Sequence, residues 1–209
     1  MTRTTLDTLD DSTIALVRLA AVIAGSDEAQ VRDAFVRTVD VVPSMWIEEL
    51  VVQSYLFSGF PRALNAAREW RRVAPTPAPF TDEGDDVTHV DEWRQRGEDT
   101  CAAVYGPMYE KLRVNVRQLH PALDGAMVIE GYGKILSRPG LDLPRRELCI
   151  VAACAVTGQD RQLHSHLHGA LNVGVTPSVL SAAIDALIPI LGEERTRSVR
   201  LLLARVVGK

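Results

Sequence analysis

The sequence predicts an all-α protein, and three observations support that class. Apolar residues recur at helical spacing along most of the 209-residue chain. No segment shows the sustained two-residue alternation that marks a half-buried strand. Aromatic residues make up only 5% of the chain, whereas alanine, valine and leucine are abundant, a balance that suits closely packed helices.

Four helices are expected before residue 74. Ser12 is a candidate N-cap for the first helix, which should end near Gly25 because glycine favours helix termination. Acidic residues after Ser26 indicate the start of a second helix. The remaining two are expected to begin at Pro43-Ser44 and at Pro61, the last running to about Val73.

The composition changes after residue 74. Residues 74–79 read Ala-Pro-Thr-Pro-Ala-Pro, which indicates an extended spacer. Residues 82–99 hold eight acids against two arginines and should be solvated. We therefore predict a helical unit over 1–74, a proline-rich acidic linker and helix over 75–104, and a second helical unit over 105–209.

Seven further helices are expected after the spacer. Thr176 should cap one of them, and Pro189 should kink or end the helix that contains it. Gly131 and Gly133 lie within a helical pattern, where close packing explains them better than phosphate binding. The predicted ranges are 90–103, 107–119, 121–136, 143–158, 160–173, 177–191 and 193–207.

An internal repeat relates the two halves. Sliding residues 16–58 onto residues 148–190, an offset of 132, gives five identities and a larger number of coincident apolar positions. The break at Pro43-Ser44 falls opposite Val175-Thr176. We interpret the chain as two related three-helix units.

Charge and cysteine usage exclude several classes of function. The net charge of −4 argues against general nucleic-acid binding, which depends on neutralising phosphates. The three cysteines, Cys101, Cys149 and Cys154, form no CxxC pair and no disulfide framework. With no signal-peptide pattern and no apolar run long enough to span a bilayer, we expect a cytoplasmic protein that does not bind membranes.

Glu147 is the first candidate for chemistry. It precedes nine consecutive apolar residues, which indicates a helix buried on every side. A carboxylate at the entrance to a dry region needs a partner or a raised pKa. Alternatively, Glu147 is a first-turn acid stabilised by the helix dipole and paired with Arg145 or Arg146.

His166 is the second candidate, because it lies beside the apolar stripe of the next helix. An imidazole there can exchange protons with a carboxylate, although a hydrogen-bonded core histidine has the same pattern. A hairpin turning near Gly158 would place Glu147 and His166 within hydrogen-bonding range, lining a partly enclosed cavity. His164 and His168 have metal-ligand spacing but lack a third ligand nearby, so no metal site is predicted.

The second half resembles the carboxymuconolactone decarboxylase family, whose superfamily also contains the AhpD-type alkylhydroperoxidases. The resemblance rests on Arg146-Glu147-Leu148, then Gln162-Leu163, and then the segment from His166 to Thr176. It covers roughly residues 130–195. Residues 44–67 are similar to the end of a degenerate second copy.

The resemblance implies an AhpD-like all-α fold, assembly into a trimer or hexamer, and catalysis without a metal or organic cofactor. It implies proton transfer by Glu147 and His166 on a small carboxylate or lactone. Arg146, Arg161 and Gln162 are candidate contacts for that substrate. In the first copy, the offset of 132 places Ala15 and Ala34 at the positions of the glutamate and the histidine, so one site per chain is expected.

Three hypotheses follow from these residues. The first is a cofactor-independent lyase that decarboxylates a small carboxylated lactone. The second is a relative of the thiol peroxidases, disfavoured because Gln159 and Gln162 stand where those enzymes carry CxxC. The third is a non-catalytic helical oligomer in which Glu147 and His166 form a structural pair.

Overall fold

The computed structural model describes residues 5–208, and over these residues the fold is all-α, as the sequence predicts. Extended pairing among the described residues is limited to one parallel bridge between Leu6 and Val175. Over the same part of the chain, no helix combines the length and apolar character needed to cross a bilayer.

The chain forms two compact units. The first unit combines the residues up to Pro77 with those from Gly140 onward, and the second is Ala78–Pro139. The division therefore differs from the predicted one, because the chain returns to the first unit after the second. The helices of the first unit are α1 (Asp11–Gly25), α2 (Glu28–Thr38), α3 (Ser44–Ser58), α4 (Phe60–Val73), α8 (Leu143–Thr157), α9 (Asp160–Asn172), α10 (Pro177–Asp185) and α11 (Ile188–Val207).

Helices α1–α4 and α8–α11 correspond at the offset that the sequence indicates. Asp10 and Asp142 are the N-caps of α1 and α8 and accept hydrogen bonds from the backbone N–H groups of Thr13 and Arg145, at 2.7 and 2.9 Å. Both helices have 15 residues, so caps and bounds all lie 132 residues apart.

Two glycines extend this correspondence. Gly59 follows α3 with φ 80° and ψ 158°, and Gly192 interrupts α11 with φ 75° and ψ 165°. Such positive φ values are open to glycine at little cost. Each set therefore contains the same sharp turn before its last long helix, which makes each set four helices rather than the predicted three.

The predicted N-cap of α1 is wrong by two residues. Asp10 has extended backbone angles and a side chain that reaches the N–H of Thr13, whereas Ser12 lies inside the helix. The Ser12 hydroxyl instead donates to the carbonyl of Val41 at 2.7 Å. A carboxylate and a hydroxyl two positions apart are both good caps by sequence, and this tertiary contact distinguishes them.

Helices α1 and α8 pack in the same direction with equivalent positions facing each other. Near their first turns, Arg145 Nε donates to Thr13 Oγ1 at 2.9 Å. Near their last turns, a Cβ atom added to Gly25 would lie 2.5 Å from a methyl group of Val156. Contacts between equivalent positions are those of a two-fold relation, here between two sets of one chain.

Pro189 ends α10, as predicted. A proline ring within a helix clashes with the carbonyl four residues earlier, here that of Asp185, the last residue of α10. The helix predicted over 177–191 is therefore two helices, and Pro189 lies in the first turn of α11.

The second unit contains α5 (Val90–Tyr105), α6 (Tyr109–Leu119), α7 (Pro121–Ala126) and a π-helical segment, Met127–Leu136, that continues α7. Helix α5 packs closely on the π-helical segment. A Cβ atom on Gly97 would lie 2.0 Å from the carbonyl oxygen of Val128, and one on Gly133 would lie 1.9 Å from that of Trp93. Close packing thus explains Gly133, as predicted. Trp93 and Gly97 are buried within the stretch predicted to be solvated.

Asp124 gives the second unit a pH-dependent link between α6 and α7. Its side chain is 1% exposed and accepts hydrogen bonds from Arg113 Nε at 2.5 Å and Arg117 Nη2 at 2.7 Å. These guanidinium groups, Arg113 first, lower the pKa of the Asp124 carboxyl. A lowered pKa in the folded state contributes stability above the unfolded pKa, and this contribution is lost as the pH falls through the folded value.

We expect Asp124→Asn to lower the free energy of unfolding at pH 7 by about 2 kcal/mol, since two arginines lose a buried carboxylate. Below about pH 4 the difference from wild type should shrink, because the wild-type carboxyl then becomes protonated. Urea unfolding at pH 7, 5 and 3 measures both effects. Asp99→Asn, at an exposed acid on α5, is the control, and an Asp124→Asn penalty independent of pH would contradict the assignment.

Candidate active site

Helix α8 carries Glu147 into the interior of the first unit. Its ordered start depends on the Asp142 cap and on Pro144 in the first turn. Arg146 to Ala155 are all buried, and Glu147 is 0% exposed. The burial on every side that the sequence predicts is thus observed, and the carboxylate lies in a region that water does not reach.

His166 meets Glu147 across the α8–α9 hairpin. Gly158 adopts the left-handed conformation that ends α8, so α9 folds back along it. His166 Nδ1 lies 2.8 Å from Glu147 Oε2, and the histidine is 4% exposed. The predicted contact is confirmed, at a distance that permits direct proton transfer.

The second carboxylate oxygen of Glu147 is the unusual feature of this pair. Glu147 Oε1 is buried and has no hydrogen-bond partner within the described part of the chain. A buried acceptor without a donor costs about 1–3 kcal/mol, and native proteins contain few of them. A purely structural role would not need this cost, whereas a group that interacts with substrate would justify it.

Phe57 of α3 completes the surroundings of the imidazole. Its ring centroid lies 5.4 Å from that of His166, with the planes at 88°. This edge-to-face contact is favourable between aromatic rings and fixes the orientation of the imidazole. Sequence analysis missed Phe57. The repeat provided a signal, since Phe57 belongs to the other set of helices and lies at an equivalent of the α11 start.

Arg146 lies within an internal network instead of facing open space. Its guanidinium is 0% exposed and donates to Glu49 Oε2 at 2.7 Å, Gln53 Oε1 at 2.9 Å and the Leu141 carbonyl at 3.0 Å. The predicted substrate contact would therefore require this ion pair to open. In the structure, Arg146 joins α8 to α3 directly beside Glu147.

The other predicted substrate contacts, Arg161 and Gln162, lie exposed in the first turn of α9. Gln162 is one helical turn before His166 and so shares its side of the helix. Arg161 is one position away from that line. Neither residue belongs to the buried contact between α8 and α9.

His164 and His168 are half-buried and lie against each other, with ring centroids 5.0 Å apart. No cluster of three histidine, cysteine or acidic side chains that could hold a metal ion occurs in residues 5–208. The histidine pair thus packs by its rings on the side of α9 away from Glu147.

The two thiols of α8 are buried. Burial raises the pKa of Cys149 and of Cys154 to about 12, with the charge of Glu147 adding to the effect at Cys154. Both remain protonated at neutral pH and are weak nucleophiles. Cys101 is also buried.

An all-α chain with paired helix sets and a buried glutamate–histidine pair defines the class of protein. The family model described as carboxymuconolactone decarboxylase family matches residues 123–205. Among curated proteins, the chain is similar to Peroxisomal protein 2 of Schizosaccharomyces pombe (strain 972 / ATCC 24843), at 31% identity over 147 residues that cover 68% of each chain. The chain belongs to the carboxymuconolactone decarboxylase family.

Proposed function

We propose that this protein is a cofactor-independent lyase that decarboxylates a small carboxylated lactone at the Glu147–His166 pair. One observation carries the proposal: a buried carboxylate bonded to a histidine through one oxygen while its other oxygen has no donor among the described residues. Family membership supports the same class of chemistry.

The proposed step transfers one proton and releases one molecule of carbon dioxide. The bond between the carboxylate carbon and the adjacent carbon breaks, and its electron pair passes into the conjugated lactone. His166 then delivers a proton from Nε2 to carbon, and Glu147 restores that proton through Nδ1. A carboxylate thus becomes carbon dioxide and a C–H bond, with no oxidant or reductant.

Substrate binding is assigned to groups near the mouth of the α8–α9 hairpin. Gln162 and Arg161 are proposed to contact the substrate carboxylate or the lactone oxygens, since both are exposed and carry hydrogen-bond donors. Arg146 is proposed as a positioning residue, because its network with Glu49 and Gln53 fixes the start of α8.

A screen of carboxylated lactones and β-keto acids tests this function. Carbon dioxide release is measured with the wild-type protein and with His166→Ala as the control. We expect release from at least one lactone by the wild type alone. Equal release by both proteins, or none across the whole panel, would contradict the proposal.

Peroxidase chemistry is the less favoured alternative, because the thiols that it would use are protonated and buried. We expect native protein at pH 8 to react with a disulfide reagent such as DTNB far more slowly than unfolded protein, in which all three thiols react. Cumene hydroperoxide with a dithiol reductant should give no turnover above background. Turnover that disappears in Cys154→Ser would overturn this expectation.

Assembly and location complete the proposal. Self-association into a trimer or hexamer is part of it, as is catalysis without a cofactor. The cytoplasmic location expected from the sequence now stands beside a peroxisomal one, which the name of the yeast relative suggests.

A further inference from the structure

The repeat gives each group of the Glu147–His166 site a counterpart in the first unit. At the offset of 132 residues, Glu147 corresponds to Ala15 and His166 to Ala34. Phe57, which contacts His166 from the other helix set, corresponds to Pro189. A two-fold relation between the sets therefore predicts that Ala15, Ala34 and Pro189 meet at one place.

The structure places these three counterparts around one cavity of about 540 Å³. The cavity lies between α1, α2 and the start of α11, entirely within the first unit. Alanine at both positions removes the carboxylate and the imidazole and leaves their volume open. We call this space the counterpart cavity.

The counterpart cavity has gained positive charge. Arg18 and Arg37 line it, and their equivalents in the second set are the uncharged, buried Ile150 and Gly169. Arg18 is held in place because its Nε donates to the carbonyl of Ala186 at 2.8 Å. Arg37 makes no hydrogen bond or ion pair to any of the described residues. Its guanidinium is thus available to a ligand.

The rest of the lining is mostly apolar. Leu19 and Val22 of α1 and Ile190 of α11 form apolar wall, and Asp33 is the one acid among the lining residues in the described chain. The charge of Asp33 acts on the neighbouring Arg32, so the acid is partly balanced from outside the cavity. Two guanidinium groups beside an apolar wall match an anion attached to a small apolar body.

We propose that the counterpart cavity binds a small organic carboxylate without chemistry. The carboxylate is held by Arg37 and by the part of Arg18 that does not bond Ala186, and the apolar body lies on Leu19, Val22 and Ile190. The alanines that replace the glutamate and histidine supply the space. This site does not depend on activity at Glu147 and His166, so either proposal can fail alone.

Benzoate is the probe, and benzamide is its uncharged control. In a titration followed by residue-resolved NMR, benzoate should shift amide signals of α1, α2 and the start of α11 in a saturable manner. Arg37→Gln should weaken this binding about tenfold, as loss of a charge-assisted hydrogen bond implies. Arg68→Gln, at an exposed arginine on α4, should leave it unchanged.

A second variant tests the cavity independently of its charge. Ala15→Leu adds bulk on a half-buried face of α1, and we expect it to prevent benzoate binding while the spectrum remains that of a folded protein. Equal affinity for benzamide would overturn the proposal. So would unchanged binding in Arg37→Gln, or shifts confined to residues around Glu147 and His166.

Discussion

Glu147→Gln and His166→Asn are each expected to lower decarboxylation by about 10²- to 10⁴-fold, the usual contribution of positioned acid–base catalysis. Both changes keep the side-chain shape but break the proton path through the 2.8 Å contact between Nδ1 and Oε2. The double variant should be no slower than either single variant, because groups that act as one relay are not additive. Initial rates of carbon dioxide release measure all three.

His164→Asn and His168→Asn are matched controls, since both residues lie on the same helix two positions from His166. Each should retain most of the wild-type rate. Thermal unfolding distinguishes the competing structural role: if the pair only stabilises the fold, Glu147→Gln and His166→Asn lower the melting temperature but leave the activity per folded molecule unchanged. That outcome would refute the relay.

Arg146→Ala is expected to give the largest loss of stability, about 3–5 kcal/mol in the free energy of unfolding, because it leaves the Glu49 carboxylate buried without its cation. Glu49 is 4% exposed and Arg146 is 0% exposed, so water cannot replace the lost partner. Urea unfolding at pH 7 measures the change.

The ion pair between Arg200 and Asp185 provides the matched control, since both side chains are more than 40% exposed. Arg200→Ala should cost less than about 1 kcal/mol. The double variant Arg146→Met with Glu49→Leu should recover much of the loss, because it removes both buried charges together. A loss below 1 kcal/mol in Arg146→Ala would show that the buried pair contributes little.

Local chemistry made much of the fold predictable. The ends of α3 and α4 follow from Pro43, Gly59 and Pro61, residues whose backbone preferences act within a few positions. The Glu147–His166 contact also followed from local information. The two residues lie at similar distances on either side of Gly158, and a helical hairpin brings such positions together.

The rest depends on contacts between distant parts of the chain. Phe57 and Glu49 reach the site from α3, about a hundred residues before His166 and Arg146, and no local pattern marks either of them. Hydrophobic spacing also failed to distinguish the π-helical segment from the α-helix that it continues. Composition showed the boundary after residue 74 but not the return of the chain to the first unit at Gly140.

The side-by-side packing of α1 and α8 has a consequence for biosynthesis. Leu16, Leu19 and Ile23 of α1 are at most 1% exposed in the folded chain, yet α8 is translated only after the whole second unit. During that interval the nascent first unit displays apolar side chains that have no partner, a condition that favours aggregation and chaperone binding. Folding of the first unit is therefore expected to finish late, after translation of the last helices, and to be slowed by contacts distant in sequence.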